Sequence, residues 1–111
     1  MPINIKVNTM KKLLIASLLF AAPVMAQEKQ TPKQMCAVIY KLSKSIMTTR
    51  QNGVDVIEAT EHYDSRELTQ KMVLEAYSQP LFSTHKHKQK IIKSFSNKKY
   101  VWCMKALLSG E

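Results

Sequence analysis

The 111-residue sequence has little glycine and few cysteines, and it contains no long hydrophobic run. With only two glycines it has no glycine-rich loop that could cradle phosphate groups, and neither Gly-x-Ser-x-Gly nor His-Glu-x-x-His occurs. No apolar run reaches the roughly 18 residues that a transmembrane helix needs. With 45% hydrophobic residues the chain is nevertheless too apolar for a disordered tail. The sequence therefore predicts one small globular domain and excludes a multidomain enzyme.

The N-terminal segment has the three parts of a secretory signal peptide. Lys11 and Lys12 precede an apolar stretch over residues 13–22, and small residues precede a cleavage point after Ala26. We therefore predict that residues 1–26 are removed on export.

Two alternatives to a cleaved signal peptide fit less well. A membrane anchor needs about 20 apolar residues, more than this stretch contains. Lipid attachment needs a cysteine at the cleavage point, and the first cysteine is Cys36. Met10, directly before the basic pair, is an alternative start. The processed domain comprises residues 27–111 and keeps 14 of the 17 basic residues and all eight acidic ones, a formal net charge of +6.

The two cysteines are expected to form a structural disulfide. An exported chain reaches an oxidising compartment, and the only possible pairing joins Cys36 to Cys103. A redox-active Cys-x-x-Cys is absent, and a metal site on two distant cysteines would need further ligands at specific spacing.

The first helix has clear start and stop signals. Thr31 is suited to the N-cap, Pro32 to the first helical position, and apolar residues then recur at helical spacing. Asn52 and Gly53 are expected to end the helix, because glycine tolerates the left-handed conformation that closes many helices.

Two further helices are predicted in the middle of the chain. The segment 54–63 is a candidate short helix, with Val54, Ile57 and Tyr63 on one side. Asp64 begins a capping-type sequence for the next helix, which a proline at position 80 is expected to terminate.

The C-terminal part is expected to form a basic helix and a last element. Ser83 or Thr84 can cap the basic helix, and Ser96 and Asn97 are expected to end it. The segment 100–108 has helical spacing, although its first residues would also suit a strand.

The apolar stripes on these elements predict the core. Their expected members are Met35, Ile39, Leu42, Ile46, Met47, Leu68, Met72, Val73, Ala76, Tyr77, Ile91, Ile92, Phe95, Tyr100, Met104, Leu107 and Leu108. Helical periodicity with almost no alternation predicts an all-α bundle of four or five short helices in which the disulfide joins the first helix to the last.

Several of these positions together carry a family resemblance. They are Cys36, Ile46 and Met47, Arg50-Gln51-x-Gly53, Ala76-Tyr77-x-x-Pro80, Phe95 and Cys103. In this pattern the chain resembles a group of small secreted two-cysteine proteins of unknown function from Proteobacteria and their prophages. The resemblance covers nearly all of the processed chain, and it implies a periplasmic location and a phage-related or envelope-related role. It brings no catalytic motif.

The most distinctive charge feature lies near the C-terminus. Six lysines fall within 14 residues: Lys86, Lys88, Lys90, Lys93, Lys98 and Lys99. They are expected on the solvent side of a helix, either as an ordinary solvated face or as a binding surface for lipopolysaccharide, anionic lipid or DNA. On this expectation, replacing the first four by glutamine should change the stability by less than about 1 kcal/mol.

Other candidate sites have simpler interpretations. His85 and His87 are possible metal ligands, but residues two apart on a helix face away from each other. Glu58 and His62 are one turn apart and are a possible acid–base pair, or an ordinary helix-surface contact. The segment 50–53 is either a recognition loop or a plain helix end.

These observations favour a non-enzymatic, periplasmic or secreted protein that binds a macromolecule, with an unidentified protein of the envelope as its partner. A polyanion or envelope-surface binder is the alternative, and a metal carrier or enzyme is the third hypothesis. No cofactor is predicted, and no membrane-spanning segment is expected after processing.

Overall fold

Four α-helices make up the part of the chain that the computed structural model describes, residues 30–110. Their bounds in chain order are α1 Pro32–Gln51, α2 Val56–His62, α3 Glu67–Tyr77 and α4 His85–Ser109. No strand occurs within residues 30–110, so the predicted all-α architecture is confirmed. None of these helices is long and apolar enough to cross a bilayer. The predicted signal peptide, residues 1–26, and the alternative start at Met10 lie outside the described residues.

α1 begins and ends where the sequence predicts. Pro32 occupies the first helical position, where a backbone N–H has no partner within the helix. After Gln51 the chain turns through Gly53, whose φ of +83° lies in the left-handed region that L side chains disfavour. The N–H of Gly53 donates to the carbonyl of Arg50 at 3.0 Å and closes the last turn.

α2 is shorter than the predicted segment 54–63, and one of its apolar residues is not in the core. The Oδ2 of Asp55 accepts a hydrogen bond from the N–H of Ile57 at 3.0 Å, so Asp55 is the N-cap. The Ile57 side chain, placed with Val54 and Tyr63 on one side of the predicted helix, is 64% exposed, and Ala59 is the buried residue of α2. Because a helix of seven residues has about two turns, only this one position faces α1 and α3 fully.

The start of α3 is predicted closely, but Asp64 does not cap it. Asp64 Oδ1 accepts a hydrogen bond from the N–H of Arg66 at 3.0 Å, which closes a turn before the helix. The same hydrogen bond lowers the pKa of the Asp64 carboxyl. Arg66 is the N-cap residue, and its side chain makes no capping hydrogen bond. The helix ends at Tyr77, shortly before Pro80, as expected.

α4 is one helix of 25 residues, so the break expected at Ser96 and Asn97 is wrong. Ser96 is fully buried, and its Oγ donates to the carbonyl of Ile92 at 2.7 Å, which satisfies the hydroxyl inside the helix. Neither serine nor asparagine removes a backbone donor, and both cost a helix less than glycine or proline. The segment 100–108 is accordingly helical.

α1 and α4 form an antiparallel pair that is connected near both ends. At one end the disulfide Cys36–Cys103 joins them with a Cα–Cα distance of 5.6 Å, which confirms the predicted bridge. At the other end Lys88 Nζ donates to the backbone carbonyl of Gln51 at 2.6 Å. Cys36 to Gln51 and Lys88 to Cys103 each span 15 positions (51 − 36 and 103 − 88). The two helices therefore stay in register over about four turns.

Two buried serines lie midway along this helix pair. Ser43 follows Cys36 by seven residues, and Ser96 precedes Cys103 by seven, so the serines occupy equivalent positions on facing helices. Both are fully buried, and Ser43 Oγ donates to the carbonyl of Ile39 at 2.6 Å. Because the distance between packed helices depends on the side chains at the contact, these small residues favour a close approach of α1 and α4.

The core lies where α1 packs against α3 and α4, and α2 covers one side of it. Its buried apolar residues are Ile46, Met47, Ala59, Met72, Val73, Ala76, Ile92 and Phe95. All except the alanine of α2 lie on the predicted stripes. Three residues expected in the core are exposed, namely Met35, Leu68 and Leu108, at 42, 40 and 62%. Each of them lies in the first or last turn of its helix, where no neighbouring helix covers it.

A buried glutamine at the end of α1 holds the connection between α3 and α4. Gln51 is only 2% exposed. Its Nε2 donates to the carbonyl of Pro80 at 2.8 Å, and its Oε1 accepts from the N–H of Phe82 at 3.0 Å. The adjacent Arg50 donates through Nε and Nη2 to the carbonyl of Gln79 at 3.2 and 2.9 Å. Two neighbouring side chains thus satisfy three backbone groups of one loop.

Two tyrosine hydroxyls position α2. Tyr63 shares hydrogen bonds with Ser45 Oγ and Thr49 Oγ1 of α1, at 2.6 and 3.0 Å. Tyr77 donates to the carbonyl of Val54 at 2.6 Å, and burial raises the pKa of the Tyr77 phenol. The residues on both sides of α2 are therefore attached to the longer helices by side-chain hydrogen bonds.

Candidate polyanion-binding surface

Charge is divided between two parts of the molecule. The segment 54–77, which holds α2 and α3, has six acidic and two basic residues. α1 and α4 contain no aspartate or glutamate, but eleven lysines and arginines: Lys33, Lys41, Lys44, Arg50, Lys86, Lys88, Lys90, Lys93, Lys98, Lys99 and Lys105. Because surface charges of one sign add up in the local potential, the α1–α4 pair is the positive part of the molecule.

Two of the six lysines predicted to bind a polyanion are engaged within the fold. The Lys88 ammonium donates to the Gln51 carbonyl, at the negative end of the α1 macrodipole. Lys99 forms an ion pair with Glu75 of α3, and its Nζ lies 5.5 Å from the centre of the Phe95 ring. Both were expected on the solvent side of the helix, and both instead contribute to helix contacts.

The other four predicted lysines are exposed: Lys86, Lys90, Lys93 and Lys98. Four more exposed lysines on the same two helices do not belong to the predicted set: Lys33, Lys41, Lys44 and Lys105. We refer to these eight residues as the basic surface. None of the ion pairs found within residues 30–110 involves any of them. The sequence signal for the missed lysines is the lack of acidic residues in both helices, not a dense run of lysines.

An aromatic pair lies at the junction of the two helices. The rings of Tyr40 and Tyr100 meet edge to face with their centres 6.4 Å apart. Together with Lys41 of α1 and Asn97 of α4 they line a shallow cavity of about 310 Å³. At this junction Lys41 of the basic surface therefore lies beside apolar ring surface.

Lys88 and Lys86 provide a direct test of the distinction between lysines that stabilise the fold and lysines of the basic surface. We expect Lys88→Gln to lower the free energy of unfolding by about 1 to 2 kcal/mol, because it removes a charge-assisted hydrogen bond at a partly buried helix end. This contact replaces the expectation from the sequence that all four lysines, Lys88 included, can become glutamine with a smaller loss. Lys86→Gln, two residues away and exposed, should change it by less than about 0.5 kcal/mol. Urea denaturation followed by circular dichroism measures both values. Equal effects of the two substitutions would contradict the assignment of Lys88 to the fold.

The two histidines considered as metal ligands lie on different sides of the first turn of α4. Residues two apart on a helix are separated by about 200° around its axis. His87 Nδ1 lies 2.7 Å from Thr84 Oγ1, and its ring stacks on Phe82 with the ring centres 5.7 Å apart. Thr84 also accepts from the His87 N–H at 3.2 Å, which confirms it as the N-cap. Residues 30–110 include no group of three His, Cys, Asp or Glu side chains placed to hold a metal ion, and His85 is exposed.

Glu58 and His62, the candidate acid–base pair, are both exposed on α2. They line a shallow cavity of about 440 Å³ together with Glu61 and Thr49. The His62 and Tyr63 rings meet edge to face, with their centres 4.9 Å apart. Catalysis by this pair stays a prediction from the sequence.

The segment 50–53 is a helix end, and its first two side chains point to the loop before α4 and not to solvent. Arg50 also lies over the Tyr77 ring, with its Cζ 5.1 Å from the ring centre. The sequence contained a signal for the buried role of Gln51, because this residue follows Met47 by four positions on the buried stripe of α1. A separate cavity of about 500 Å³ lies beside this helix end, with Leu74 and Leu81 on its border at 58 and 49% exposure.

A scan against protein-family models, a search of curated proteins and a search of solved structures each found no match to this chain.

Proposed function

We propose that this protein is a non-enzymatic protein of the bacterial periplasm that binds polyanionic surfaces through the basic surface of α1 and α4. One observation carries the proposal: eight exposed lysines lie on two adjacent helices that contain no acidic residue. An unneutralised surface of this kind attracts phosphate-rich ligands and concentrates them near the protein. Lipopolysaccharide, anionic phospholipid and incoming phage DNA are the polyanions expected in that compartment.

The positions of two of these lysines in their helices indicate that they do not stabilise the fold, which supports a role in binding. Acidic residues are favourable in the first turn of a helix and basic residues are unfavourable there, because the N-terminal end of the macrodipole is positive. The first turns of α1 and α4 nevertheless contain no acidic residue, and they carry Lys33 and Lys86. Lys33 and Lys86 therefore gain nothing from the helix in which they lie, whereas Lys88 and Lys99 have clear structural partners.

The disulfide and the predicted signal peptide support the proposed location. A bridge between Cys36 and Cys103 persists in an oxidising compartment and is rare in the cytosol. The mass of the protein purified from the periplasm of an expressing bacterium would also establish whether residues 1–26 have been removed.

Binding to a DNA duplex and to anionic vesicles should weaken steeply with salt. We expect the logarithm of the affinity to fall linearly with the logarithm of the salt concentration between about 50 and 200 mM, because each lysine that contacts a phosphate releases counterions. The double variant Lys90→Gln/Lys93→Gln should reduce the slope measured on the duplex by about 2. Fluorescence anisotropy of a labelled duplex measures this slope.

A matched variant controls for net charge. Arg66→Gln/Lys71→Gln also removes two positive charges, but from the exposed surface of the acidic part of the molecule. It should leave the slope unchanged. If both double variants weaken binding equally, net charge and not the basic surface is responsible. If the parent binds neither probe at about 50 mM salt, the polyanion proposal is wrong.

A protein partner in the envelope is the second candidate function. The cavity bordered by Leu74 and Leu81 favours it, because this cavity exposes apolar side chains and none of the eight lysines of the basic surface lines it. If the preceding test contradicts the polyanion proposal, binding to a protein partner becomes the leading hypothesis. The metal-carrier and enzyme hypotheses have no comparable support among the described residues.

A further inference from the structure

The solvent side of α4 carries apolar residues as well as lysines. Val101 and Trp102 are 49 and 47% exposed. Lys98 and Lys105 lie three residues before and three residues after this pair, so all four side chains share one helix face at helical spacing. A shallow hollow along this face is lined by these four residues together with Ser94 and Asn97. Leu108, one turn further on, is 62% exposed.

This face continues toward the start of α4. A neighbouring hollow shares Ser94 and is also lined by Lys90, Ile91 and Phe82. From Lys90 to Leu108 the face extends over 18 positions (108 − 90), or about 27 Å of helix. It is therefore long enough for α4 to lie along a surface over most of its length.

The core does not use the exposed side chains Val101, Trp102 and Leu108. The buried residues of α4 are Ile92, Phe95, Ser96 and Cys103, which lie on a different face from Val101. A ligand can therefore contact the exposed apolar residues without any loss of core packing.

The mixture of side chains distinguishes between polyanions. Phosphates of a nucleic acid attract lysines, but the aliphatic Val101 and Leu108 gain little from a phosphate backbone. The interfacial layer of a lipid bilayer offers both kinds of contact, because tryptophan and aliphatic residues enter at the headgroup level and lysines reach the anionic headgroups. The chemistry of this face therefore fits an anionic bilayer better than DNA.

We propose that α4 lies in the plane of an anionic lipid bilayer, with Val101 and Trp102 in the headgroup layer and Lys90, Lys98 and Lys105 on the headgroup phosphates. This inference rests on the proposed polyanion-binding function and names its ligand class. It also assigns Trp102 as an interfacial anchor.

The protein contains its own reporter, because Trp102 is its only tryptophan. We expect its emission to shift to the blue when the disulfide-bonded protein, recovered from the periplasm, meets vesicles of phosphatidylglycerol and phosphatidylcholine. Vesicles of phosphatidylcholine alone, or a DNA duplex, should leave the emission unchanged. Salt of about 150 mM screens surface charges beyond about 8 Å and is the appropriate condition.

A pair of matched variants distinguishes the insertion of apolar side chains into the bilayer from electrostatic attraction between lysines and headgroups. Val101→Asp places a carboxylate beside the reporter, and we expect it to reduce vesicle affinity in cosedimentation by about tenfold or more. Ile57→Asp makes the same change at an exposed position of α2 and should reduce it by less than about twofold. Circular dichroism of both variants confirms that the fold is retained.

The outcomes distinguish the two proposals. Salt-dependent binding with no blue shift, or equal losses for Val101→Asp and Ile57→Asp, would overturn the bilayer inference and leave the polyanion proposal intact. Binding to the duplex but not to vesicles would do the same. Absence of binding to both probes would overturn both proposals.

Discussion

Removal of the disulfide should lower the free energy of unfolding by about 4 kcal/mol. The bridge closes a loop of 67 positions and joins the start of α1 to the end of α4, so its loss frees nearly the whole folded unit in the unfolded ensemble. For a domain of this size that is a large part of the total stability. Urea denaturation of Cys36→Ser/Cys103→Ser against the oxidised parent measures the difference.

The single variants supply the control for this experiment. Cys36→Ser, Cys103→Ser and the double variant all remove the same bridge, so their losses should be nearly equal and not additive. The parent treated with a reductant should unfold at a similar urea concentration. A denaturation midpoint that is the same in the double variant and the oxidised parent would contradict the structural role of the bridge.

Gln51→Ala should lower the free energy of unfolding by about 2 to 5 kcal/mol. The substitution leaves the Pro80 carbonyl and the Phe82 N–H without their partner, and Gln51 itself is buried. The loss of two hydrogen bonds and the space left by the buried side chain both destabilise the fold. The loop before α4 should also exchange its amide hydrogens faster than in the parent, which hydrogen–deuterium exchange measures.

Gln89 is the matched control for this substitution. It is an exposed glutamine on α4, and Gln89→Ala should change the stability by less than about 0.5 kcal/mol. A similarly small effect of Gln51→Ala would show that water replaces the two hydrogen bonds without cost. The loop would then be held by Arg50 alone.

Local sequence signals predicted most helix boundaries. Pro32, Gly53 and Thr84 act at the positions expected from their backbone and capping chemistry. Such effects involve residues close in the chain, so the sequence contains all the information that determines them. The error at Ser96 and Asn97 has a tertiary cause, because the packing of α4 along α1 favours one continuous helix over a weak local break.

Long-range contacts were harder to predict. The pairing of Cys36 with Cys103 was predictable because only one partner existed. By contrast, nothing near Lys88 in the sequence indicates that its ammonium group meets the carbonyl of Gln51, 37 positions away (88 − 51). The register of α1 against α4 determines whether this contact forms. It therefore also determines which lysines remain on the surface.

The candidate site differs from the prediction for the same reason. A local count of lysines selected one chain segment, whereas the structure packs α1 against α4, and exposed lysines lie on both helices. The proposed binding surface is therefore defined by two helices and by the absence of acidic residues from both. The exposure of Trp102 could not be predicted either, because the helical spacing of residues 100–108 does not reveal which face of the helix a neighbouring helix covers.

The bond between Cys36 and Cys103 also has a topological consequence. It makes residues 36–103 a covalently closed ring that contains α2, α3 and all three connections between helices. A protease that cuts one of these connections opens the ring but does not divide the molecule. The nicked protein would keep both long helices attached to one another and would separate into two fragments only after reduction.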